Sequence, residues 1–597
     1  MCGILYKSRL YGGNDESLFI SALRTIKHRG PDEEGILFTN KHMLGHERLS
    51  IVDLNYGHQP MSIINKHLIY NGELYNLDEL EKILDINDIN GDTNILIELL
   101  NKYGIDILNK LNGIYGFVFI DNDVVYAARD PFGVKPLFYS LIDNDIIISS
   151  EIKAILKLKG EAIVDSEGLK ELIGMGPSHS IGKTIYKGIY ELPPGAYLKY
   201  QDGKYEIVKY YTLPTYKLNI SYDEAKNKVR ELLLDAIKRQ MISDVDVAAF
   251  LSGGLDSSII STIVAKNKKS LDCYTIDYED NEKDFKPNEF ERSRDYDYAL
   301  LVSNDIKANL HRALIDNDTL INNLKRAVIC KDGPGMTDID SSMIYIAEEI
   351  SKKYKVALSG ECADELFGGY SWFYTKAKEK NTFPWIRNLK DRENLLNEKW
   401  KRKLNISEYV KNEYLMSLNE TPISNLDNQL EIKDRQMTYL NIRYFMTNLL
   451  DRKDRMTMGA NPPLEARVPF CDKKLVEFLY NLPFKYKYRF KTEKKILRDA
   501  FSGYVNDSVI NRKKSPYPKS NSKEYEKRVK ELLKEVLKDK NSILYELFDI
   551  DKINSLIESN EELSTPWYGQ LMRKTAFFAY LYQIDYWYRE YNIRIED

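Results

Sequence analysis

The sequence is poor in the features that mark membrane, secreted and nucleic-acid-binding proteins. Across 597 residues no run of eighteen apolar side chains occurs, so no membrane-spanning helix is expected. The start has no basic segment followed by an apolar one, so no secretory signal is expected. Both point to a cytoplasmic protein. Cysteine is scarce: Cys2, Cys273, Cys330, Cys362 and Cys471 are odd in number and lack C-x-x-C spacing, which argues against a disulfide framework and a structural zinc site. Most are expected to be buried as small hydrophobes. Basic charge is not in excess either. A formal net charge of -4 offers no face to a phosphate backbone, so nucleic acid is not an expected partner. Internal repeats and low-complexity tracts are also missing.

What is present is ordinary globular chemistry, with 43% hydrophobic and 29% charged residues in a chain too long for one core. Residues 1 to about 200 read as short β segments, as in HLIYNGELYN and GIYGFVFIDNDVVYAARD. The turn pairs Asn71-Gly72 and Asp143-Asn144 complete an α+β pattern of antiparallel strands. Pro193, Pro194 and Gly195 punctuate its end, and YTLPTYK (211–217) reads as a linker. At SYDEAKNKVRELLLDAIKRQM the period becomes helical, with Ser221 and Glu224 spaced as a capping box. Strands then alternate with helices, which predicts a parallel α/β sheet with ligands at its carboxyl ends. From about 380 the chain is largely helical and carries the charged segment LLDRKDRMTMG. The expected division is 2–212 and 213–597.

Three groups of residues carry chemistry. SGGLDSS (252–258) falls at a strand-to-helix turn, where free N–H groups and the helix dipole favour an anion. No Gly-Lys-[Ser/Thr] follows, so it is not a Walker A loop. Its hydroxyls would bind phosphate, and Asp256 would hold the Mg²⁺ that neutralises a pyrophosphate. SGECADELFGGY (359–370) places Glu361, Asp364 and Glu365 after a second strand of the same sheet, facing the same crevice. A carboxylate there would position Mg²⁺ or orient the group being adenylated.

The third group is N-terminal. A small residue after Met1 favours removal of the methionine, which would leave Cys2 with its thiol and a free α-amine on one carbon. That amine titrates near about pH 7.7–8.0 and would act as the thiol's base, so His28 and His46 are expected to be structural. HRGPD (28–32), HERLSIVD (46–53) and YNGELYN (70–76) are expected on loops. Arg48 would clamp a carboxylate, Asn71 and Gly72 would form an oxyanion hole, and Asp92 would pair with an α-ammonium group.

With both halves in view, the chain resembles the glutamine-hydrolysing asparagine synthetases. The resemblance spans essentially the whole length and rests on MCGI, RGPD, HERLSIVD, NGELYN, ARDPFGVKPL, SEIKAIL, FLSGGLDSS, LSGECADELFGGY, LLDRKDRMTMG, LEARVPFCD, EKKILR and NRKKSPYP. It implies an N-terminal-nucleophile sandwich, with antiparallel sheets between helices, followed by a parallel-sheet ATP pyrophosphatase domain with a helical C-terminal part. It further implies Cys2 as nucleophile, Asn71 and Gly72 as oxyanion hole, and Arg48, Leu49, Ser50, Ile51, Val52, Asn71, Gly72, Glu73 and Asp92 as glutamine contacts. Leu251, Ser252, Gly253, Gly254, Asp256, Ser257, Ile276, Ser359 and Gly360 would meet ATP, Asp256 and Asp364 would bind Mg²⁺, Glu361 would serve adenylate formation and Lys494 would stabilise a later charged intermediate. Two positions depart from the family pattern: Pro462-Pro463, expected to alter a loop near the synthetase site, and Cys362, expected to be packing.

The implied reaction joins glutamine hydrolysis at Cys2 to ATP-driven conversion of aspartate to asparagine, with ammonia crossing by an internal passage; a homodimer is compatible with it. The same machinery acting on another carboxylate, such as diaminopimelate in a cell-wall precursor, is the principal rival. A sensor that binds glutamine and ATP without turnover has no need of Cys2, Asp256, Glu361 and Lys494 together. A phosphoribosyl-type amidotransferase has no use for SGGLDSS.

Overall fold

A computed structural model describes residues 2–9, 15–85, 91–285, 293–375, 381–387 and 389–596. Met1, whose removal the sequence suggests, lies outside them. The first third of the chain forms two six-stranded antiparallel sheets. One runs Ile189–Glu191, Phe138–Ile142, Asp145–Ser149, Cys2–Ser8, His42–Arg48, Glu33–Phe38. The other runs Lys204–Lys209, Ala196–Gln201, Val124–Arg129, Gly113–Asp121, Lys66–Leu74, Met61–Ile63. Alternate residues of both sheets, among them Ile4, Tyr6, Leu44, Ile69, Val118 and Ile120, meet in a shared apolar layer. Helices Leu77–Leu84 and Asp92–Tyr103 cover the outer face of the second sheet, and Glu16–Arg24 packs on the first. This is the expected sandwich of antiparallel sheets between helices.

The strand Cys2–Ser8 is buried along its whole length and lies between two neighbours. The nucleophile candidate therefore starts a central strand.

Two expectations for this half need correction. Asn71-Gly72 is not a turn: both residues sit inside the strand Lys66–Leu74, paired with Gly116 and Tyr115. Apolar residues on both sides of the pair keep the strand going, and the missing Cβ of Gly72 allows close approach, since one would lie 2.2 Å from the Ile114 carbonyl oxygen. Nor is Arg48 on a loop, for it ends the strand His42–Arg48. Asp143 and Asn144 do form a hairpin turn, both at positive φ.

A segment without helix or strand over 210–221 leads to the helix Tyr222–Gln240, whose Ser221 and Glu224 make the expected capping box. The second sheet system is wholly parallel, in the order Asn309–Ile315, Asp272–Tyr278, Val247–Phe250, Val356–Leu358, Glu465–Arg467. The chain moves outward from Val247–Phe250 in one direction, then returns to its other side. The strand order thus reverses between Val247–Phe250 and Val356–Leu358, and a crevice opens there at the carboxyl ends. SGGLDSS and SGECADE follow those two strands. The remainder is helical, and LLDRKDRMTMG, far from being a solvated charged stretch, falls on or beside the largely buried helix Thr447–Met458.

Gly30 shows how closely the sheet that contains Cys2–Ser8 is packed from outside. A Cβ there would lie 2.2 Å from the Glu47 carbonyl oxygen and 2.5 Å from the Arg48 carbonyl carbon. Because backbone and not a mobile side chain must yield, Gly30→Ala should destabilise the fold by roughly 1–3 kcal/mol. Urea unfolding followed by fluorescence tests this, and an unchanged midpoint would contradict the packing.

Candidate active sites

At the N-terminal site, the Cys2 backbone nitrogen donates to Asn71 Oδ1 at 2.9 Å. The same side chain's Nδ2 is buried with no hydrogen-bond partner. An amide donor desolvated without an acceptor is costly and unusual, and here it belongs to the side chain that holds the Cys2 nitrogen. Arg29 Nε donates to the Cys2 carbonyl at 3.0 Å. Burial pushes the Cys2 thiol up, while the Leu49 backbone N–H and the Arg48 charge pull the other way.

Arg48 is itself held: it donates to Glu33 at 3.1 Å and to the Asp53 carbonyl at 2.6 Å. The Ser50 amide donates to Asp32 at 2.8 Å, the Ile51 carbonyl accepts from the Asp244 amide at 3.1 Å, and Leu49 and Ile51 are buried with Val52 packed beside them. Asp92 caps this corner, accepting from the Tyr70 hydroxyl at 2.8 Å and the Leu74 amide at 3.2 Å. Glu73 and Asp92 are both pushed up, chiefly by burial. His46 is buried and held neutral, pushed down to about 3 by desolvation, with its Nε2 against the Tyr70 carbonyl. His28 pairs with Glu151.

The second site is a cavity of about 280 Å³ at the switch point of the parallel sheet. Of the predicted ATP contacts, Leu251, Ser252, Gly254, Asp256, Ser257, Ile276, Ser359 and Gly360 line it, with Glu361, Asp364 and Lys494. Gly253 does not. It sits at φ +69° with its α-carbon turned to the helix Asp295–Asp305, where a Cβ would be 2.4 Å from the Ala299 nitrogen. The helix Leu255–Asn267 presents its N-terminus to the cavity. Ser252 and Ser257 hydroxyls lie 3.1 Å apart across the turn.

Lys494 joins the two loops, reaching Asp256 at 2.6 Å and Asp364 at 2.7 Å. Burial pushes Asp256 up, whereas Asp364, with Lys514 also 3.6 Å away, is held below the usual carboxylate range by the two lysines. Asp256 Oδ1 is buried with no hydrogen-bond partner. Glu365 is pushed up to about 7 by burial and the Asp364 charge, and takes a 2.6 Å hydrogen bond from Tyr370.

Several residues were not singled out from sequence. Lys453 stands 3.6 Å from Glu361 and 4.0 Å above the Phe250 ring, and Arg452 lines the same cavity. Asp454, next along the helix, receives Arg29 at 2.7 Å. One helix therefore faces both sites. The alternating charges of LLDRKDR were the available signal, hidden because such a run usually marks a solvated face. Pro462 and Pro463 do not line the cavity; the neighbouring Asn461 amide instead meets Glu348. Cys362 is buried at φ +77°, a conformation that favours glycine, and it does line the cavity.

Lys494→Met would leave Asp256 facing Asp364 without the cation between them. Their pKa values in the folded state would then rise above the unfolded value of about 3.9, so the variant's stability is retained at acid pH and lost as pH rises through the raised pKa. Relative to the parent, its melting temperature should fall by several degrees between about pH 5 and about pH 8. A constant difference across that window would contradict the cluster.

A family model for asparagine synthase matches residues 228–589, and one for the glutamine amidotransferase domain matches residues 1–211. The chain is 40% identical to glutamine-hydrolysing asparagine synthetase 3 of Bacillus subtilis (strain 168), over 100% of both chains. It is 29% identical to glutamine-hydrolysing asparagine synthetase 1 of the same organism, over 87% of each. Sheets, site geometry and full-length identity agree: the chain belongs to the glutamine-hydrolysing asparagine synthetase family.

Proposed function

We propose that this chain makes asparagine, AMP and diphosphate from aspartate, glutamine and ATP, with residues 2–212 as the glutaminase and 213–597 as the synthetase. The observation that carries this reading is the end-to-end match to a glutamine-hydrolysing asparagine synthetase, with family models matching both halves.

Once Met1 is removed, the nitrogen now 2.9 Å from Asn71 Oδ1 becomes the Cys2 α-amine. It takes the thiol proton, and Cys2 Sγ attacks the carboxamide carbon of glutamine. The unpartnered Asn71 Nδ2 and the Gly72 N–H stabilise the oxyanion; one such donor is worth roughly 10²–10³ in kcat. The amine passes that proton to the departing nitrogen, ammonia leaves, and water resolves the thioester to glutamate. Arg48 and the loop 49–52 bind the glutamine carboxylate end, Glu73 and Asp92 its ammonium group. Ammonia reaching bulk water would be protonated and lost as a nucleophile, so its route to the second site is an internal one.

In the synthetase cavity the SGGLDSS turn grips the β,γ-phosphates. Asp256 and Asp364 offer carboxylate oxygens, one buried without a partner, which suits a Mg²⁺ ion shared with substrate phosphates and water. Bound there, the ion would neutralise the departing pyrophosphate. A side-chain carboxylate oxygen of aspartate attacks the α-phosphorus and diphosphate leaves. Glu361 serves this step, with Lys453 beside it. Ammonia then displaces AMP, and Lys494 balances the charge that forms.

Cys2→Ala should abolish asparagine synthesis from glutamine while synthesis from an ammonium salt persists, because the two chemistries occupy separate sites. Full glutamate release by this variant would overturn the assignment of the nucleophile. Aspartate carrying heavy oxygen in its side-chain carboxylate should yield AMP with one labelled oxygen and unlabelled diphosphate. ADP with labelled inorganic phosphate would mean an acyl-phosphate route and would sink the loop assignment. Failure of aspartate, with turnover of a diaminopimelate-containing precursor, would keep the chemistry and change the acceptor.

A further inference from the structure

Arg467 ends the strand Glu465–Arg467 at the outer edge of the parallel sheet, fully buried, and touches both sites. Its Nε donates to Glu465 at 2.6 Å, one Nη donates to the Gln240 carbonyl at 2.9 Å, and the other Nη lies 3.3 Å from Glu73 Oε1. Its carbonyl accepts from the Ser359 amide at 2.8 Å, at the start of the loop that lines the nucleotide cavity. One residue of the second half therefore holds a carboxylate of the first half with its side chain and a cavity loop with its backbone.

The carboxylate it holds is well placed. Glu73 lies two residues beyond Asn71 on one strand, so both project from the same face, and Asn71 holds the Cys2 nitrogen. A buried carboxyl group takes up a proton unless a cation stands nearby. Burial pushes Glu73 up, and the Arg467 guanidinium is the leading influence in the other direction. A protonated Glu73 would offer no charge to the ammonium group of an amino-acid substrate.

We propose that Arg467 is a positioning residue for glutamine, fixing the Glu73 carboxylate where the substrate's α-ammonium group meets it and tying that carboxylate to the Ser359 loop of the nucleotide cavity. The inference rests on the glutaminase reading of Cys2 and makes no assumption about the acceptor. Glutamine recognition in the first half is then completed by the second half. Displacement of the Ser359 loop is felt at Glu73 through a single residue.

The test measures glutamate release by the full-length protein from about pH 6 to about pH 9, for the parent, Arg467→Met and Arg467→Lys. Loss of the cation in Arg467→Met should raise the KM for glutamine about tenfold or more near neutrality. The binding form of Glu73 is the carboxylate, so affinity falls as pH drops through its pKa. Removing the cation raises that pKa, and the acid limb of kcat/KM should move to higher pH. Arg467→Lys keeps the charge but loses the planar fork, so its KM should rise by about threefold with the limb unmoved. In the ammonia-supported reaction the KM for ammonium salt should not rise in parallel. A folded Arg467→Met with unchanged glutamine KM and an unmoved limb would overturn the proposal. So would parallel increases in both KM values, the mark of a general loosening. Should Arg467→Met not fold, an unchanged glutamine KM in Arg467→Lys overturns it alone. Absence of glutamate release by the parent would instead remove the glutaminase reading.

Discussion

A guanidinium sealed from water must be surrounded by acceptors, and Arg29 meets that demand with the Cys2 carbonyl, Glu151 and Asp454. Removing one partner of a buried pair costs roughly 3–5 kcal/mol because a charge is stranded, so the three acceptors are held together. They belong to the strand Cys2–Ser8, to the N-cap residue of the helix Ile152–Lys159, and to the helix Thr447–Met458. The network continues from Glu151 to Lys153, from Lys153 to Asp332, and from Asp332 to Arg455 of that same helix. Through these contacts the position of Cys2 depends on residues from the far end of the chain.

The parallel sheet makes the complementary contribution. Reversal of strand order opens a crevice between two loops, and Lys494 closes its polar floor from a third segment. A carboxylate from each loop, a lysine between them and a helix N-terminus behind form a pocket suited to a polyanion and a divalent cation. The next strand outward ends in Arg467, which looks back to Glu73. The Ser359 loop and the strand Glu465–Arg467 are joined by a hydrogen bond, and that strand and Lys66–Leu74 by the Arg467–Glu73 ion pair, so these layers are in direct contact and not linked only by a tether.

Motifs that combine a backbone requirement with a chemical one were legible in the sequence. SGGLDSS demands a tight turn and a helix start at once, and the structure has it at a strand-to-helix turn that lines the cavity, save for Gly253 and Ser258. Cys2 stood out because of its neighbours. Asn71-Gly72 misled because the pair favours a turn in isolation, whereas strand partners on both sides override that preference. Lys453, Asp454 and Arg467 were invisible for a different reason: their roles depend on residues hundreds of positions away. A charge run does not announce that it will be buried, and LEARVPF gives no hint that its arginine meets Glu73.

Burial of these charges also determines how the two halves respond to the medium. Exposed pairs along the rim, such as Lys474 with Glu79, are weakened by dissolved ions within a Debye length of about 8 Å at physiological ionic strength. The pairs of Arg29, Arg455 and Arg467 lie where mobile ions do not enter. Alignment of Cys2 with the cavity of the parallel sheet is therefore insulated from changes in salt concentration that alter surface attraction.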